Sequence, residues 1–208
     1  GSTYVAAVAA GSKLFQLLGC PFDAMGATMA TYCGQNVGAW RLERLGQGIR
    51  ACTLLGVIYS AAAFGAMLLF SEQCAMLFLE PTEPELALLT ALTSQYILTC
   101  SAFFIPLALV NIVRFSIQGM GYSAFAILAG VLEMVARTGV AYFLVPALGY
   151  GAACFASPAA WICADAFLIP ASMACIARLE RKRPALVPEK GPGPEGMPQA
   201  VPTKVRLS

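Results

Sequence analysis

Six ionisable side chains stand inside otherwise apolar stretches of the sequence: Lys13, Asp23, Arg114, Glu133, Arg137 and Asp165. Glu133 and Arg137 are four residues apart, which on a helix puts them on one face and within reach of an ion pair. Arg114 shares a polar stripe with Asn111 and Gln118. Asp165 follows Trp161, precedes Pro170 and has no cation within one helical turn. A carboxylate held in apolar surroundings can exchange its bare charge for a bound proton or cation. Asp165 is therefore the leading candidate for ion or substrate binding. Glu133 comes next, restrained by its arginine, with Asn111 and Gln118 as polar lining. Arg137, Arg114 and Asp23 read as structural charges. Arg137 pairs with Glu133, Arg114 ties helices together by bonding carbonyls, and Asp23, two residues after Pro21, caps the second half of a bent helix. Other chemistries have little to work with. There is no histidine, and the eight cysteines are scattered without a CxxC pair, so no metal site is expected and the thiols read as small packing residues. An enzyme working inside a membrane would need a Ser/Lys pair or two carboxylates brought together from separate helices. We expect no enzymatic activity and no cofactor.

The elements that must position these groups follow from composition. The chain is 59% hydrophobic and 12% charged, where soluble domains carry about 25% charged residues. Ala51 to Phe70, Leu86 to Val113 and Thr138 to Ala164 hold no charge at all, and about 20 apolar residues in a helix cross a bilayer core. A soluble enzyme, a nucleic-acid binder and a disulfide-stapled secreted domain are excluded. The expected fold is all-α: a polytopic membrane helix bundle over 1–183, with five spans at about 5–39, 49–79, 86–119, 124–145 and 152–177. Prolines 21, 106, 158 and 170 are expected to break or bend their spans. Gly26, Ala30 and Gly34, like Gly56, Ser60 and Phe64, read as packing seams. Residues 184–208 are rich in proline and read as a disordered tail.

Cation placement orients the bundle. The segment Arg41 to Arg50 carries three arginines and one glutamate, the segment Glu80 to Glu85 is acidic, and the last span ends in Arg178, Arg181, Lys182 and Arg183. Basic loops stay in the cytoplasm, which puts the carboxy-terminal tail there and Gly1 outside. The first residue is Gly rather than Met, and the chain is expected to be a fragment with an odd number of spans upstream.

Specific strings add a family resemblance. The segment Pro21 to Trp40, with Gly34-Gln35-Asn36-Val37-Gly38-Ala39 leading into the arginines, resembles the multidrug and toxic compound extrusion (MATE) family, bacterial type. Pro106 to Gly121 and Gly130 to Thr138 resemble its tenth and eleventh helices, and Ser157-Pro-Ala-Ala-Trp-Ile-Cys-Ala-Asp165 its twelfth. Trp40 stands where the family usually has glycine. The resemblance runs from residue 3 to about 181. It implies helices eight to twelve of twelve, most of one six-helix lobe of a two-lobe transporter, with seven helices and the amino-terminal lobe missing. It further implies secondary antiport of cationic, amphipathic drugs or toxic compounds for Na+ or H+ across the plasma or inner membrane. The family's best-known coupling carboxylates precede Gly1, and Asn111 and Arg114 stand where some branches carry an acid. A lipid-linked oligosaccharide flippase of the same superfamily, or a non-transporting membrane scaffold, are the alternatives.

Overall fold

A computed structural model describes residues 2–79 and 85–182. The acidic segment, apart from Glu85, and the proline-rich tail lie outside these residues. Long helices dominate: α1 (Ser2–Gly38), α2 (Glu43–Met76), α3 (Leu86–Ala102), α4 (Phe104–Gly119), α5 (Ser123–Gly139), α6 (Val145–Leu148) and α7 (Tyr150–Arg181). A π-helical turn, Val140–Leu144, joins α5 to α6. Four helical stretches are long and apolar enough to cross a membrane, with α5 to α6 running as one, and the α3–α4 pair makes a fifth.

The break between α3 and α4 bends the chain by 53°. Pro106 explains it: proline has no N–H for the carbonyl four residues back, and its ring crowds that carbonyl, here Ala102 at the end of α3. The other span prolines act differently from expectation. Pro21 lies within α1, and Pro158 and Pro170 within α7, without interrupting either helix. Neighbouring helices donate near two of these gaps. The Tyr59 hydroxyl of α2 donates to the Leu18 carbonyl at 2.9 Å. Cys100 Sγ of α3 lies 4.0 Å from the Cys154 carbonyl, the one Pro158 leaves without its helical partner. Gly149 ends α6 at φ +68.

α1 and α4 end in the same way. Trp40 N–H bonds the Val37 carbonyl and Arg41 N–H bonds Asn36. Likewise Gly121 N–H bonds Gln118 and Tyr122 N–H bonds Ile117. Each is a Schellman cap, whose key residue is left-handed. Gly121 takes that conformation freely at φ +89, whereas Trp40 takes it at φ +54, against the crowding of its own Cβ. A glycine at position 40 would take this conformation without that cost. The arginine segment is mostly helix: α2 starts at Glu43, so Arg44 and Arg50 sit in its first turns.

α4 is the central helix, packed on α1, α2, α5 and α7. The α1–α4 crossing is backbone against backbone. A Cβ on Gly119 would collide with the Ala30 main chain, and one on Gly34 would touch the Gly119 carbonyl at 3.4 Å. Gly26 leaves room for the Phe115 ring. Small residues at close crossings are how membrane helices gain dispersion contacts without a hydrophobic drive between them. Gly26, Ala30 and Gly34 therefore form a packing seam, as does Gly56, which faces Ala108 across α2 and α4. The bundle has two distinct ends. Thr3 bonds Glu85 and the Tyr4 and Tyr150 rings meet at one end. At the other, Gly34 meets Gly119 and Arg178 lies over Phe125. Arg41, Arg44, Arg178, Arg181 and Lys182 all gather at this second end.

Candidate functional site

The buried charges converge from three helices. Arg114 of α4 donates through Nη2 to Glu133 Oε1 of α5, and Arg137, one turn further along α5, holds its Nη2 at 3.8 Å from Glu133 Oε2. The expected emphasis is thus reversed. The main partner of Glu133 is Arg114 across the helix interface, and the i,i+4 arginine is the looser one. Arg114 bonds a side chain, not helix carbonyls. Side-chain exposure follows the same order: Glu133 13%, Arg114 22% and Arg137 49%. Asp165, at the middle of α7, is only 7% exposed. It stands on α7, which packs against the α4 that carries Arg114, and among the described residues its enclosed Oδ1 accepts no hydrogen bond. Arg114 Nε is likewise enclosed and donates to none of the described residues.

The remaining candidates separate from this cluster. Asn111 is half-buried and spends its amide on the Leu107 carbonyl of its own helix at 3.1 Å. Gln118 is exposed near the end of α4. Asp23, expected to cap or pair, does neither. α1 continues through it, its side chain is exposed, and it has no ion-pair partner among the described residues. Lys13 is exposed on the same helix.

Those two charges belong to a second feature that the sequence reading did not assemble. Between Lys13 and Gln35 the exposed positions of α1 are Lys13, Gln16, Leu17, Cys20, Asp23, Ala24, Ala27, Thr28, Thr31, Gly34 and Gln35. Leu17 is the single large aliphatic among them. The other long helices show the opposite outer face. α2 exposes Leu54, Leu55, Ile58, Leu68, Leu69 and Phe70, and α5 exposes Ile127, Leu128, Val131, Met134 and Val135. α7 exposes Phe155, Ile162, Ile169 and Met173. The polar face of α1 also leans towards acceptors. Thr28 and Thr31 donate their hydroxyl protons to Ala24 and Ala27 of their own helix, leaving oxygen lone pairs facing outward beside the Asp23 carboxylate. The sequence signal was the recurrence of polar residues at 13, 16, 20, 23, 28, 31 and 35, at helical spacing. Two apolar grooves, of about 560 and 490 Å³, are lined without a charged side chain, one between α1 and the start of α7 and one on α5. Among the described residues no cluster of three or more His, Cys, Asp or Glu could hold a metal.

Helices of bilayer-crossing length, apolar outward on three of them and charged at the centre, define a multi-pass helical membrane protein. The family follows from comparison with known proteins. The MatE family model matches residues 1–143, and the chain belongs to that family. Its fold is similar to a solved structure described as the inward-facing conformation of a multidrug resistance MATE family transporter of the MOP superfamily, with a TM-score of 0.71 and 15% sequence identity. That match covers 86% of this chain and 45% of the other, so this chain spans less than half the length of that transporter. No curated protein sequence matches.

Proposed function

We propose that this chain forms most of one lobe of a secondary antiporter that exports cationic, amphipathic compounds in exchange for a coupling cation, and that the outer face of α1 is the wall it presents to the substrate path. The observation that carries this reading is the contrast between outer faces. A side chain such as Asp23 costs about 2.5–3.5 kcal/mol at the centre of a lipid-facing helix even on insertion scales, so a helix with Lys13, Gln16, Asp23, Thr28 and Thr31 exposed belongs against water or a second lobe. Asp23 lies about 25 Å along the axis from Trp40, well inside the membrane thickness, where a carboxylate with outward acceptors suits an organic cation. In the full transporter this chain corresponds to helices eight to twelve, with the missing lobe opposite α1. The cationic end carrying Arg41, Arg44, Arg178, Arg181 and Lys182 faces the cytoplasm, in the plasma or inner membrane.

The test is efflux of a fluorescent organic cation from energised vesicles carrying the complete transporter. Asp23→Asn is expected to lower the initial rate at least tenfold, with expression and melting temperature unchanged because the side chain has no partner to lose. Unchanged efflux would overturn the proposed path. A flippase for an anionic lipid-linked sugar predicts that Lys13→Gln, not Asp23→Asn, is the damaging change. A scaffold predicts that neither matters.

A further inference from the structure

The central charge cluster is unevenly satisfied. Glu133 is bracketed by two cations, Arg114 in direct contact and Arg137 at 3.8 Å. Among the described residues Asp165 has no such partner and keeps an enclosed Oδ1 with no donor, while the Arg114 Nε keeps an enclosed N–H with no acceptor. A bare buried carboxylate is strongly penalised unless a donor or cation meets it. An enclosed carboxyl oxygen with no donor suits a neutral, protonated Asp165 better than an ionised one. A sodium ion would need several oxygen ligands, and the α7 neighbours Trp161, Ala164 and Leu168 supply apolar surface to the same buried face.

We propose that Asp165 is a proton-binding site and that Arg114 changes partners as it loads and empties, bonding Glu133 when Asp165 holds a proton and Asp165 when the proton has gone. The step balances without other groups. Asp165 releases H+ to water and becomes an anion, and Arg114 turns its guanidinium from Glu133 to Asp165. Arg137, half-exposed and one turn from Glu133, then closes on the carboxylate that Arg114 leaves. The emptied state pairs two cations with two carboxylates, whereas in the loaded state Arg114 and Arg137 share the single carboxylate of Glu133. A tie between α4 and α5 is traded for one between α4 and α7, so proton occupancy selects which helix α4 is fastened to.

The surroundings leave Arg114 as the exchangeable partner. α5 contributes Glu133 and Arg137, both already described. Of the titratable groups of α3, Cys100 meets the Cys154 carbonyl of α7 at 4.0 Å and the Tyr96 hydroxyl lies 3.5 Å from Ser12 of α1, and Cys154 lies about 16 Å along the helix from Asp165. The π-helical turn carries only the exposed Tyr142, and α6 carries none. On the α1 side the contact is aromatic, Phe15 stacked on Trp161 at 5.5 Å. What the proton drives rests on the antiporter reading above. Its binding does not, and it is tested separately.

The experiment is infrared difference spectroscopy of the purified chain in lipid, titrating the carbonyl band of protonated carboxyl groups. One band is expected to vanish as pH rises and to be missing from Asp165→Asn, an isosteric neutral change. Arg114→Gln removes the compensating cation and moves the loss of that band to higher pH. Glu133→Gln frees Arg114 for Asp165 and moves it to lower pH, each by about one pH unit or more. Arg114→Lys, which retains the charge, serves as the second probe should Arg114→Gln fail to fold, and is expected to keep the band near its original position. An unaltered band in Asp165→Asn overturns the site. Identical titrations in Arg114→Gln and Glu133→Gln overturn the exchange. Discharge of the band by Na+ at fixed pH overturns the choice of proton. If the band behaves as expected while Asp165→Asn transports normally, the proton site stands and its role in antiport falls.

Discussion

Glu133 is the keystone of the central cluster because each of its oxygens faces a different arginine, and the unequal burial of those arginines decides what each contributes. Removing the charge of Glu133 takes from Arg114, which is largely enclosed, its direct contact, and breaking a buried pair by deleting one member costs about 3–5 kcal/mol when nothing replaces it. Glu133→Gln is therefore expected to lower the melting temperature in detergent or lipid, by no more than the lower end of that range because Asp165 is free to take over Arg114. Arg137→Gln removes a half-exposed cation at 3.8 Å, beyond hydrogen-bond distance of Glu133, and should lower the melting temperature by less than Glu133→Gln does. Equal losses from the two variants would show that the two arginines share Glu133 evenly, against the asymmetry described.

At the scale of helices, the bundle is organised by how closely α4 can approach its neighbours. The α1–α4 crossing has no room for a side chain at Gly119, where an added Cβ meets the Ala30 backbone and not a movable side chain. Gly119→Ala must push the two helices apart, and overpacking of this kind costs about 1–3 kcal/mol. Gly130, inside α5 with open space where its Cβ would go, is the control. Gly130→Ala gains helix propensity and should stabilise by up to about 1 kcal/mol. Thermal unfolding of the two variants side by side checks the sign of both. A stabilised Gly119→Ala would mean that the α1–α4 contact is looser than the backbone geometry states.

For the molecule as a whole, the question is which outer faces meet lipid and which meet water. Two exposed cysteines sit on the two kinds of face: Cys20 on the polar side of α1, and Cys163 beside Ile162 on the apolar side of α7. In single-cysteine versions of the complete transporter, a membrane-impermeant, charged thiol reagent is expected to label Cys20 and to spare Cys163, whereas a lipid-soluble maleimide labels Cys163. Protection of Cys20 from the charged reagent in every transport state would place the α1 face against lipid and remove the basis for the proposed path.

The membrane-spanning all-α class was legible in the sequence because it depends on quantities that add along a chain: charge-free length against bilayer thickness, and loop arginines against a basic end. The glycine seam of α1 was legible for a similar reason, since spacing four on a helix is a face whatever packs against it. Which face meets what is a different kind of fact. Glu133 chose Arg114 over its own-helix neighbour because α4 carries Arg114 to the α5 interface, nineteen residues away in sequence. Asp23 proved exposed, not a cap, because α1 runs on through Pro21 with Tyr59 of α2 donating nearby. Pro106 alone broke its span, although Pro158 and Pro170 looked equivalent in the string. Periodicity and composition set the helices and their depth. Only the packing of five helices against one another decided which charges are partnered, which is left alone at Asp165, and which face of α1 is turned outward.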